Sequence, residues 1–311
     1  MTASPATCYA CDRANPDRIF TRCHDACTAR FPEHFVGPPR SVNGGVAVGA
    51  LACPALELAR GDGVENALAA RMTGRLRRPV PVAADLHTAA AHDGNGAIEV
   101  TYGDGESTLV AGRVQLIALA HAAAPGAVVA EPPPRLAAML AEMADLSGRE
   151  PGPPAVARDD HPIPMCFSCG PANVRGLRIT PRVASERDTW AEWLPDQTYR
   201  DGGPAIGLST LGGALDCSNA MVLSVAHSEI AGMQELVPIL ASMDLRVLRV
   251  PAASLPGGYR VIARATGAEG NKYHSTSALF DADGRAYAVA ETVWVALPKD
   301  RLGYKGPERA R

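Results

Sequence analysis

Two cysteine pairs and one isolated acid carry most of the chemical content of this 311-residue chain. Cys8-x-x-Cys11 and Cys166-x-x-Cys169 are CxxC pairs, Cys23 and Cys27 form a CxxxC, and Cys53 and Cys217 lie singly in apolar segments. The spacing of Cys8, Cys11, Cys23 and Cys27 suits a four-thiolate structural zinc site. In a competing arrangement the two CxxC pairs meet each other. Cys53 and Cys217 read as small core residues, with no histidine nearby to activate a thiol. Asp216 interrupts the apolar stretch Gly-Ala-Leu-Asp-Cys-Ser, and a buried carboxylate is costly unless it is paired or functional. It reads as a general base or nucleophile, or else as a structural hydrogen-bonding group. Asn43-Gly44-Gly45 is either a tight turn or a helix start, whose unpaired amides would polarise an oxygen brought to them. Lys272 and His274 alternate onto one face of a strand, where they are solvated edge residues or anion ligands together with Arg246 and Arg249.

The elements that position these residues recur. Cys8-Tyr-Ala-Cys-Asp-Arg-Ala-Asn15 matches Cys166-Phe-Ser-Cys-Gly-Pro-Ala-Asn173 at an offset of 158, and Gly49-Ala-Leu-Ala-Cys53 matches Gly213-Ala-Leu-Asp-Cys217 at 164. Met72-x-x-Arg75 matches Met243-x-x-Arg246 at 171, Gly94-Asn95 matches Gly270-Asn271 at 176, and Asp104-Gly105 matches Asp283-Gly284 at 179. Offsets that only grow, in one order, indicate two copies of a unit with the second somewhat longer. In each copy a CxxC opening leads to a small-residue apolar segment, residues 46–59 and 210–225, read as a buried helix. Pro54 should kink or end the first of these, because it lacks a donor and clashes with the carbonyl of Ala50. Strands follow over 97–102, 107–119, 259–266, 273–280 and 286–297, with Asp281-Ala-Asp-Gly284 as a hairpin turn. A Pro-rich connection holding a helix over 135–146 joins the copies.

Hydrophobic residues make up 47% and charged residues 20%, the balance of a globular chain with a sizeable core. A net charge of −3 with no basic cluster gives no footprint for nucleic acid or an anionic membrane. The apolar runs 44–56 and 116–130 fall short of a bilayer span, and the first residues lack signal-peptide character. A cytoplasmic protein is expected, with no membrane or nucleic-acid partner.

A Gly-Gly turn opening a buried helix, an acid late in such a helix, and a meander ending Asp281-Ala-Asp-Gly-Arg-Ala-Tyr-Ala-Val-Ala-Glu-Thr292 resemble the hotdog fold of acyl-CoA thioesterases. The stretch Cys166-Phe-Ser-Cys-Gly-Pro-Ala-Asn-Val-Arg-Gly-Leu177 is similar to the start of hotdog proteins of the phenylacetic-acid thioesterase type. The resemblance implies an α+β double hotdog, two antiparallel sheets each wrapped around a central helix. The implied units are an N-terminal domain over 1–122, a linker over 123–160, a C-terminal domain over 161–298 and a tail over 299–311. In that family a His-Gly-Gly turn precedes the catalytic acid by nine positions. Here Asn43-Gly-Gly precedes Ala52, and Gly207-Leu-Ser precedes Asp216, so each copy keeps one half of the signature. The complementary losses imply one composite site, with Asn43, Gly44 and Gly45 facing Asp216. Such a site would hydrolyse an acyl-CoA or acyl-carrier thioester without a cofactor, structural zinc aside, and Lys272, His274, Arg246 and Arg249 would meet CoA phosphates. The Asp-x4-His spacing of the dehydratase branch is absent. The alternatives are a non-catalytic acyl-CoA or acyl-carrier binding protein and a zinc-stabilised interaction module. A tandem supplies both units of a hotdog pair, as a monomer with an internal pseudo-twofold or as part of a homo-oligomer.

Overall fold

The small-residue segments do become helices, but the first is broken in two. In the computed structural model, residues 10, 15, 17–21, 27–38, 41–119, 124–148, 152–195, 204–233 and 235–302 are described. In chain order they form β1 (Phe20–Thr21), β2 (Cys27–Ala29), α1 (Gly44–Gly49), α2 (Ala52–Gly61), β3 (Ala67–Leu76), β4 (Leu86–His92), β5 (Ile98–Gly103) and β6 (Thr108–Ala118). There follow α3 (Pro134–Ala144), β7 (Arg182–Ser185), β8 (Asp188–Trp193), α4 (Leu208–Ala226), β9 (Leu236–Val247), β10 (Tyr259–Glu269), β11 (Lys272–Phe280) and β12 (Ala286–Pro298). The break between α1 and α2 falls at Ala50–Leu51. Residue 54 is a proline with no N–H to offer, and the Ala50 carbonyl accepts instead from the Cys53 amide at 3.1 Å.

Two sheets were expected, and the described strands form one. Twelve antiparallel strands run in the order β1-β2-β4-β5-β6-β3-β9-β12-β11-β10-β8-β7. The correction comes from β3 and β9, which pair from Arg71↔Arg246 to Arg75↔Ser242 and fuse what would have been two edges. Arg71 reinforces the seam with paired bonds of 2.8 and 2.6 Å to the Asp244 carboxylate. Outward from this seam the order is the same on both sides: helix-following strand, then the fourth, third and second strands of the meander. Thr73 and Asp244, directly opposed at the middle of the seam, are separated by the same 171 residues as the Met72 and Arg75 sequence matches.

The helices α1, α2 and α4 cover one face of the sheet with a shared apolar core. α4 is buried along almost its whole length, which explains a sequence apolar on all sides. It meets α1 at backbone distance. A Cβ on Gly45 would lie 2.1 Å from the Gly212 carbonyl oxygen, and one on Gly212 would lie 2.1 Å from the Gly45 oxygen. A buried polar ladder ties α4 to the sheet: Asn219 Nδ2 donates to the Leu215 carbonyl at 2.9 Å and to Ser277 Oγ at 2.7 Å. The connection helix α3 packs on the opposite face through Leu136, Leu140 and Met143. Arg264 fastens it there, with Nε donating to Asp188 at 2.6 Å and a terminal nitrogen to Glu142 at 2.5 Å. Asp188→Asn removes one charge from the buried Arg264–Asp188 pair and should cost about 2 kcal/mol in urea unfolding. An unchanged free energy would mean that the pair contributes nothing.

The CxxC loop of the second half docks on the first half. The Phe167 amide donates to the Val36 carbonyl at 2.6 Å, and its ring meets Phe35 edge-on with centroids 4.7 Å apart. His34 stacks on Phe35 at 4.2 Å, and its Nε2 is buried without a hydrogen bond. Burial, helped by the positive charge of Arg175, pushes the His34 imidazole down to about 4. An unfolded chain whose histidine titrates near its usual ~6.5 therefore takes up a proton that the folded protein refuses, and stability falls as pH drops through that window. The urea midpoint should decline more steeply between about pH 7 and about pH 5 in the wild type than in His34→Gln. Parallel declines would exclude His34 as the cause.

Candidate active site

Asp216 and Cys217 sit in the middle of α4, on the side turned to the start of α1 and to the CxxC loop. Asn43 is the N-cap of α1: its Oδ1 accepts from the Val46 amide at 3.1 Å, so Asn43-Gly44-Gly45 opens a helix and is not a free hairpin turn. The Asn43 Nδ2 points the other way, 3.9 Å from Cys166 Sγ and 3.8 Å from Cys217 Sγ. Asp216 is 4% exposed, and its Oδ1 is buried with no hydrogen-bond partner. Burial pushes its carboxyl up to about 7, helped by the negative charge of Cys166. The Gly45 amide, the Asn43 side chain and the Gly44 amide oppose this by favouring the ionised form.

A cavity of about 420 Å³ opens here, lined by Asn43, Gly44, Asp216 and Cys217 with the apolar walls of Leu240 and Trp294. Four predicted site residues are therefore brought together, though Gly45 plays a part of its own. It stands behind the wall, and its missing side chain makes room for α4, leaving only its amide turned to Asp216. Lys272, His274, Arg246 and Arg249 do not line this cavity. Lys272 is exposed at the start of β11, and Arg249 pairs across to Val128. Arg246 is engaged by Asp244 at 2.9 Å and Glu291 at 3.4 Å, while His274 lines a separate polar groove on the sheet. The cations at the cavity are Arg77, Arg78 and Arg301. They were not among the expected anion ligands, although Arg78 stands 171 residues before Arg249, the offset that relates Met72 and Arg75 to Met243 and Arg246.

Of the proposed zinc ligands, Cys8, Cys11 and Cys23 lie outside the described residues, and Cys27 is half-buried in β2. Among the described residues the thiols that converge are Cys166, Cys169 and Cys217, whose sulfurs all lie within 4.8 Å of one another.

No family model matches the chain, and neither does any curated protein. Solved structures do. A conserved protein of unknown function with a hot dog fold from Alicyclobacillus acidocaldarius superposes with a TM-score of 0.59 at 13% identity, over 92% of this chain and 99% of that one. The chain has a hotdog fold. The tesB protein of Mycobacterium avium subs paratuberculosis gives 0.55 at 12% identity over 90% and 96% of the two chains. An acyl-CoA thioesterase II from Mycobacterium marinum gives 0.55 at 11% identity over 92% and 97%. Among the described residues, no helix is long and apolar enough to cross a membrane.

Proposed function

We propose that the chain is a thioester hydrolase acting on an acyl-CoA or acyl-carrier thioester, at one composite site between two fused hotdog units. The units are residues 1–122 and 161–298, joined by the connection 123–160. The matching strand order about the β3–β9 seam supports the tandem reading. The observation that carries the activity is Asp216, a buried carboxylate with a free oxygen at an apolar cavity, across from the first amides of α1.

The Gly44 amide would hold the thioester carbonyl oxygen, where developing negative charge is stabilised by a fixed donor. Asp216 would take a proton from an attacking water, or itself attack the carbonyl carbon. Either route breaks the carbon–sulfur bond, with the proton ending on the departing thiol and the hydroxyl of water on the acid. Arg77, Arg78 and Arg301 would meet the phosphates of a CoA-type carrier in place of the four cations chosen from the sequence. The pseudo-equivalent position of Asp216 is Ala52, so the second site has no acid. No cofactor is required by this chemistry.

One observation favours the non-catalytic reading: Asn43 stands where the family's turn has a histidine, and its oxygen is committed to capping α1. A panel of short, medium and aromatic acyl-CoAs, followed by free-thiol release, separates the two. Turnover supports the hydrolase. Saturable binding without turnover leaves the binding protein, and neither response ends both.

A further inference from the structure

We propose that Cys166, Cys169 and Cys217 form a binding site for one thiophilic metal ion of the zinc type, with the fourth coordination position opening on the cavity beside Asp216. The three sulfurs lie within 4.8 Å of one another, and all three residues are buried. That proximity suits a tetrahedral ion with sulfur ligands at ~2.3 Å.

The loop is built to hold the set. The Gly170 amide donates to the Cys166 carbonyl at 2.9 Å, and a Cβ at Gly170 would stand 2.4 Å from the Cys166 nitrogen, so only glycine closes this turn. The third sulfur comes from α4, with Cys217 Sγ 3.3 Å from Cys166 Sγ. Asn43 Nδ2 adds a donor to both of these sulfurs.

Two independent observations point to a ligand. Asp216 Oδ1 is buried and unpartnered, and a water on the metal would supply the donor it lacks. The same three cysteines also recur in the sequence repeat, where Cys8, Cys11 and Cys53 match Cys166, Cys169 and Cys217. A pair of core cysteines would need no such duplication of a three-residue set. This site is distinct from the grouping Cys8, Cys11, Cys23 and Cys27, and draws three thiols of the second copy from a loop and the central helix.

The test uses the full chain, purified under reducing conditions, with metal content read by mass spectrometry. Wild type should carry zinc, and Cys169→Ala and Cys217→Ala should each carry one equivalent less. Because either variant could misfold, the metal-free wild type is also titrated with cobalt(II), which should give a thiolate-to-metal charge-transfer band saturating stoichiometrically. Wild type taking up neither zinc nor cobalt would overturn the site. So would unchanged zinc in folded variants, or a resting Cys166–Cys217 disulfide detected as the loss of two hydrogens. None of these readouts depends on catalysis, so the site can fail while the hydrolase reading stands, and the reverse.

Discussion

Asp216→Asn should lower thioester hydrolysis by at least ~100-fold, which corresponds to about 2.7 kcal/mol of barrier. The amide keeps the shape of the carboxylate and can still accept from the Gly45 amide, the larger of the backbone contributions that favour the native side chain. What it loses is the ability to accept a proton from water or to attack a carbonyl carbon. Stability should hold or rise, because the substitution removes an acid that pays desolvation inside α4. The two readouts belong together: lost activity with retained unfolding free energy assigns the defect to chemistry. Equal rates for both proteins on every acyl-CoA would remove Asp216 from the reaction and end the composite-site proposal.

Gly45→Ala is the second large effect, this time on folding. Its added methyl would sit 2.1 Å from the Gly212 carbonyl oxygen and 2.7 Å from the Asp216 Cβ. The nearest atoms are backbone of another helix, so no side-chain rotation relieves the clash, and α1 must move away from α4. We expect a loss of ~4 kcal/mol or more in urea unfolding, above the usual range for overpacking. A loss below about 1 kcal/mol would mean that the helices do not cross this closely. Gly61, which has nothing within 4 Å of its missing Cβ, is the matching control, and Gly61→Ala should be nearly neutral.

Much of the secondary structure was legible because local rules decide it. Strand alternation marked β10, β11 and β12, and Asp281-Ala-Asp-Gly284 turns where Gly284 takes φ +77°. Pro54 announced the broken helix. The single sheet was not legible, because the β3–β9 ladder joins residues 167 to 175 apart and nothing local marks an edge that will be covered. That Lys272, His274, Arg246 and Arg249 lie off this cavity has a related reason. Alternation tells which residues share a strand face, but the cavity lies at the meeting of α1 with α4, so its arginines come from the end of β3 and from a segment beyond β12. The cysteine cluster was obscured by reading Cys217 alone. The signal was present in the repeat, where CxxC and a later helical cysteine travel together twice.

The seam has a consequence for how this chain can be divided. Cutting it within the Pro-rich connection would leave β3 on one fragment and β9 on the other, each with a bare row of amides and carbonyls. Neither fragment closes that row on itself, and both carry part of the wall around Asp216. Co-expressed halves should therefore find each other by fragment complementation, while either half expressed alone should mispair or aggregate through its exposed strand.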